Sequence, residues 1–240
     1  MGNFLLDATL FADTLRSLRM FITFIIPCVL ILLPIRFFTK IPSYIFRKLL
    51  HIIAFSCVMI MIITAENWQA AAMASIAIAI AIYPVLRLFE SKPWYANLFV
   101  EKEPGEIRKS LLMLFLMFAA VTAVAWGISD KPYYAAAAIL MWGTGDAAAA
   151  LVGIPWGKHK VMLKLADGKK SWEGSIAMII VSMISGFCVL FWGHGMTLPM
   201  AFTAAFAGAL SGAAAELFSA SEWDTVTVPA VIAAVLLLIG

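Results

Sequence analysis

Apolar residues fill the chain in blocks of about 18 or more, separated by short clusters of charge, proline and glycine. Each block can carry a helix across roughly 30 Å of hydrocarbon. Eight spans are predicted, at about residues 20–38, 49–65, 68–89, 109–128, 132–153, 174–193, 197–218 and 226–240. Pro27, Pro34, Pro84, Pro199 and Pro229 fall within or near span ends, where membrane helices tolerate them. The longest polar connections, 87–109 and 154–173, leave no room for a separate soluble domain. The expected fold class is all-α, a polytopic transmembrane bundle forming a single integral membrane domain over residues 1–240.

Composition agrees with the pattern. The chain is 63% hydrophobic and 13% charged, whereas soluble domains are nearer half apolar and a quarter charged. A net charge of +3 gives no global nucleic-acid footprint, so no nucleic-acid partner is expected. Cys28, Cys57 and Cys188 lie far apart inside apolar segments without metal-ligand spacing, and read as small buried hydrophobes. Asp7 and Asp13 precede Arg16 and Arg19, unlike the basic start of a signal peptide.

Charge placement orients the spans. Fourteen of the 17 Lys and Arg residues fall in the loops after the first, third and fifth spans. The positive-inside rule puts those loops in the cytoplasm and both termini outside. In a prokaryote the membrane would be the plasma membrane. Trp94 and Trp192, near span ends, read as interfacial anchors.

Against this background Asp146 stands out. It lies in "ILMWGTGDAAAALVG", about seven residues, or roughly 10 Å, from the cytoplasmic end of its span. Glu216, in "SGAAAELFSASEWDTVTVP", lies at similar depth, and Asp224 opens the last span from the same side. A carboxylate at such depth costs about 2.5–3.5 kcal/mol on insertion scales and usually faces a cavity or a partner. Grouped hard oxygens suit Mg²⁺, which is held by one or two carboxylates together with substrate phosphates. The plainer alternative is that each acid pairs with a Lys or Trp for helix packing. Gly143 and Gly145 are expected to loosen the fifth helix before Asp146, whereas Gly208 and Gly212 read as close helix packing.

The following loop, "GIPWGKHKVMLKLADGKKSWEGS", carries five lysines among glycines, and ammonium groups with turn amides suit a triphosphate. Purely topogenic lysines are the alternative. It is not a Walker A loop: three residues separate the glycines of "GIPWGKH", and no Ser or Thr follows the Lys. "RKLLH" places Arg47 and His51 one helical turn apart with Lys48 adjacent, suited equally to a phosphate contact or to snorkelling at the interface. "EKEPGEIRKS", with Glu101, Glu103 and Glu106, reads as a solvated loop and helix cap. No Gly-x-Ser-x-Gly or His-Glu-x-x-His is present.

"RKLLH", "GDAAAALVG", "GKHK", "KKSWEGSIAM" and "AAAELFSASEWDTVTVP", in that order over about residues 47–229, resemble the CTP-dependent lipid kinase family. Its members include dolichol kinase, phytol kinase and CTP-using diacylglycerol kinase, distantly related to phosphatidate cytidylyltransferase. The resemblance implies CTP as phosphoryl donor, Mg²⁺ dependence and a long-chain lipid alcohol as acceptor. Asp146 matches the acid of the Gly-Asp motif, and Lys169, Lys170, Ser171, Glu173 and Gly174 match Lys-Lys-Ser-x-Glu-Gly. Glu216 and Asp224 match the closing acids, but Thr225 stands where Asn is usual.

The expected site follows. Asp146, Glu216 and Asp224 hold the metal. Lys158, Lys169, Lys170, Ser171, Gly174, Arg47, Lys48 and His51 meet the nucleotide. Asp146, Glu173 and Lys170 act in catalysis, with Glu173 or Asp146 accepting the hydroxyl proton. Expected partners are CTP, a lipid alcohol drawn from the bilayer and, as an option, a second copy of the chain. Two rivals are CDP-lipid synthesis by a cytidylyltransferase, whose Pro-Gly-His-Gly-Gly run is absent, and an ion-coupled transporter using Asp146 and Glu216 as relays.

Overall fold

The computed structural model describes residues 2–92 (backbone only over 2–7), 95, 105–162, 170–219 and 223–239. Among the described residues the chain forms eight long helices: α1 (Gly2–Phe38), α2 (Ser43–Thr64), α3 (Trp68–Phe89), α4 (Glu106–Ser129), α5 (Pro132–Trp156), α6 (Trp172–Gly193), α7 (Leu198–Phe218) and α8 (Asp224–Ile239). The first seven are long and apolar enough to cross a membrane, and α8 is a shorter apolar helix. The protein is a polytopic helical membrane bundle of about eight spans, as its hydropathy predicts. Two compact units divide it, Met1–Ala123 and Val124–Gly240.

In the first unit α1 has 37 residues, about 55 Å of helix, well beyond the hydrocarbon thickness. The segment before residue 20, expected to be a tail, is helical. Its polar side chains dock on the α2–α3 turn: Arg16 pairs with Glu66, and Asn67 donates to Asp13 at 3.2 Å. Asn67 also caps α3, its Oδ1 accepting from the Ala70 amide at 2.8 Å. Ala70, Ala71, Ala74 and Ala79 are fully buried, the small residues that let membrane helices approach closely. Edge-to-face contacts link Phe21 to Phe115, Phe115 to Phe118 and Phe118 to Phe55, tying α1, α4 and α2.

In the second unit α5 is the central helix. It is apolar all round, as a helix buried on several faces must be, and Ala135, Ala136, Ala137, Ala138 and Ile139 have no exposed surface. Its seam with α6 explains the glycines. A methyl group at Gly145 would collide with Ser182 Oγ, and one at Gly186 would strike Met141. Ser182 Oγ donates to the Met141 carbonyl at 2.8 Å, and Thr144 Oγ1 meets Ser185 Oγ at 2.9 Å. Gly145 therefore brings two backbones together. α5 runs unbroken through Gly143 and Gly145, which corrects the expectation of a loosened helix. Gly208 and Gly212 pack as expected, against Leu236, Ile232 and Val228 of α8. Ile176, Ile180 and Ile184 repeat every four residues on the exposed face of α6, the pattern of a lipid-facing stripe.

The cysteines are free. Cys57 is buried, and Cys28 and Cys188 are half-buried. At the α5 N-terminus His194 packs on Tyr133 and Tyr134, and burial together with the Lys131 charge holds its ring below the ordinary histidine range.

Candidate active site

At the other end of α5, Asp146, Ala149, Ala150, Gly153 and Ile154 recur at helical spacing on one face. They form one wall of a cavity of about 350 Å³. Lys170, Ser171, Gly174 and Ser175 close it from the start of α6, Glu216 from the last turn of α7, and Lys160 from the α5–α6 connection. The alanines and glycine matter here because larger side chains would fill the space. Gly174 has a further constraint, since a Cβ there would lie 2.9 Å from the Ala149 carbonyl.

Ser171 is the N-cap of α6, its Oγ accepting from the Gly174 amide at 3.2 Å, and it is almost fully buried. That cap fixes Lys170 just outside the helix. The Lys170 ammonium lies 3.2 Å from Glu216 Oε1 and donates to the carbonyl oxygens of Glu216 and, at 3.2 Å, Ser219. Both side chains of the pair are mostly buried, 11% and 15% exposed. A cation on the closing carbonyls of α7 also suits the negative end of that helix. Ser219 Oγ in turn accepts from Thr227 Oγ1 at 2.9 Å, which ties the start of α8 to the same corner.

The three acids belong to one electrostatic neighbourhood. Asp146 acts on both Glu216 and Asp224 through its charge, and Lys170 attracts both of those acids. Asp224 also accepts a long hydrogen bond from Thr225 Oγ1, 3.4 Å, the threonine that stands where the resemblance leads one to expect Asn. Among the described residues no group of three His, Cys, Asp or Glu side chains forms a ready-made cation cage. Two carboxylates, Asp146 and Glu216, do face the same cavity. That donor set fits Mg²⁺, a hard ion that takes one or two carboxylates and completes its shell with water and phosphate oxygens.

Glu173 lies differently from its expected role. Its carboxylate accepts from the amides of Lys158 and His159, at 3.2 Å each, and meets His159 Nδ1 at 2.7 Å. It is not among the residues that line the cavity. Lys158 contributes its backbone to that clasp, whereas Lys160, which sequence reasoning passed over, reaches the cavity. Nothing in the spacing of "GKHK" distinguishes the two lysines. The difference comes from the pairing of Lys160 with Ser171 across the connection.

Lys169 lies outside the described residues, as do Trp94, Glu101 and Glu103. Arg47, Lys48 and His51 belong to the first unit. There Arg47 lies 3.9 Å from Glu106, and His51 packs edge-on against Phe55.

No protein-family model matches the chain. No solved structure matches it. Among curated proteins, the phytol kinase of Synechocystis sp. is 30% identical to it over 197 residues, covering 78% of this chain and 76% of the relative.

Proposed function

The chain belongs to the CTP-dependent lipid kinase family, and from that premise we propose that it transfers the γ-phosphoryl group of CTP to the hydroxyl of a membrane lipid alcohol. Polyprenol or dolichol, phytol and diacylglycerol are the acceptor class. One observation carries the reading: a single cavity, built on membrane helices, gathers two carboxylates, Asp146 and Glu216, with two lysines, Lys160 and Lys170. Phosphoryl transfer asks a protein chiefly for positioning and for charge aimed at the phosphates, and this cavity offers both signs of charge.

Asp146 and Glu216, with Asp224 beside them, are the residues that would hold Mg²⁺, and the ion would supply charge neutralisation for the triphosphate. Lys160 and Lys170, which line the cavity, complement the remaining negative charge, with Lys169 next to Lys170 in sequence. The cavity is walled by Ala149, Ala150 and Ile154 of α5, and Ile154 is 60% exposed on the outer surface of that helix. An acceptor alcohol can thus keep its chain in the bilayer while its hydroxyl enters sideways. Asp146 is the cavity-lining acid on the same helix, just over two turns from Ile154, and an oxygen of it not engaged by the metal accepts the hydroxyl proton. The lysine-rich connection supports a site on the cytoplasmic side under the positive-inside rule.

The test uses purified protein, Mg²⁺ and a mixed lipid extract, with CTP labelled at the γ- or the α-phosphate. Label from the γ-position in the lipid phase is the expected result, and chromatography of the product then identifies the alcohol. Label from the α-position would replace the reading with cytidylyl transfer, and label from neither would overturn it.

A further inference from the structure

Beside the cavity the chain forms a short antiparallel pair. Residues 159–161 run against residues 170–172, with Lys160 opposite Ser171. The Val161 amide donates to the Lys170 carbonyl and the Trp172 amide to the His159 carbonyl, both at 3.0 Å. Val161 is buried beneath, 1% exposed. A pair this short has little stability of its own. What pins it is Glu173 in the first turn of α6, whose two oxygens collect the Lys158 amide, the His159 amide and the His159 ring. Side chains alternate along an extended segment, so holding His159 toward Glu173 and Val161 inward sends Lys160 the other way. Lys160 lines the cavity together with Lys170, Asp146 and Glu216.

We propose that Lys160 is a phosphate-binding residue of the cavity, and that Glu173 is the positioning residue that holds it there. The inference rests on the reading of the cavity as a triphosphate site. It assigns Glu173 a task its geometry already performs: a carboxylate engaged by two amides and an imidazole, and not part of the cavity lining, is a clasp. Lys170 holds Glu216 and the closing carbonyls of α7 at one side of the cavity. Lys160 adds a second ammonium to the lining, so a polyphosphate entering there meets positive charge from both strands of the pair.

The experiment measures binding of inorganic triphosphate to the full chain in detergent by calorimetry, followed by nucleotide kinetics, for wild type, K160M, E173A and the double variant. Lys160 is exposed, so K160M leaves the fold intact, and E173Q stands in for E173A if the latter does not fold. Loss of one charge-assisted contact weakens triphosphate binding about tenfold in K160M. E173A shows a similar loss, and the double variant is no weaker than either single one, because both act through the same ammonium. In turnover both variants raise KM for the nucleotide far more than they lower kcat, whereas a lost proton acceptor would do the reverse. Wild-type affinity in K160M, additive losses in the double variant, or no triphosphate binding by the wild type would overturn the proposal. Triphosphate binding with the expected pattern, but no transfer from CTP, would sink the kinase reading and leave this site standing.

Discussion

Lys170 holds three oxygen atoms at once, the Glu216 carboxylate and the carbonyls of Glu216 and Ser219. Removing one member of a mostly buried pair leaves the other charge without compensation, which costs more than the pair itself contributes. K170M should therefore lower stability by about 3 kcal/mol, and E216Q added to it should recover part of the loss. Thermal unfolding in detergent reads both; equal unfolding temperatures for K170M and wild type would remove this role. Asp146 faces the cavity beside Glu216, so D146N should lower transfer from CTP about 100-fold or more. A labelled-transfer assay at saturating CTP and Mg²⁺ checks this, and near-normal transfer would remove Asp146 from the site. The sequence made the three acids legible as costly residues at membrane depth. It could not show that Lys170 reaches Glu216, because the two are 46 residues apart and only the meeting of α6 with α7 brings them together. For the same reason Glu173 read as a chemical group when its partners, 14 and 15 residues back, make it a clasp.

At the level of elements, hydropathy found the helices closely: the span predicted at 174–193 is Trp172–Gly193, and that at 68–89 is Trp68–Phe89. Apolar length alone decides such boundaries, since an unpaired backbone is not tolerated in lipid. α1 is the exception. Its helix extends back past the span expected from residue 20, and Asp13 and Arg16 on it meet Asn67 and Glu66, partners about 50 residues away that no local pattern reveals. The α5–α6 seam was misread for a related reason. A glycine beside a buried acid is compatible with a break or with a close approach, and the choice depends on Ser182, 37 residues on. G145A should push the helices apart and cost about 1–3 kcal/mol, with transfer activity falling because Asp146 follows directly. G145A/S182A should recover a good part of that stability, since the atom the new methyl meets is the serine hydroxyl. No recovery in the double variant would mean that the seam is not limited by that contact.

For the whole molecule, every residue that lines the cavity belongs to the second unit, which contains α5 to α8 and the polar corner where α6, α7 and α8 meet. About eight apolar helices were legible at this scale, because membrane insertion reads bulk hydropathy. The division into two compact units was not, since the small residues that define each helix contact occur throughout the chain. Lys170 gives Glu216 a positive neighbour from within the chain, so the fold does not borrow its stability from a dissociable ion. A chelator should stop transfer from CTP and leave the melting temperature within about 1–2 °C of the untreated protein, well inside the several degrees that 1 kcal/mol would produce. A metal-stripped preparation is then an intact protein waiting for its salt, and a large drop in melting temperature on adding EDTA would show that the ammonium does not stand in for the cation.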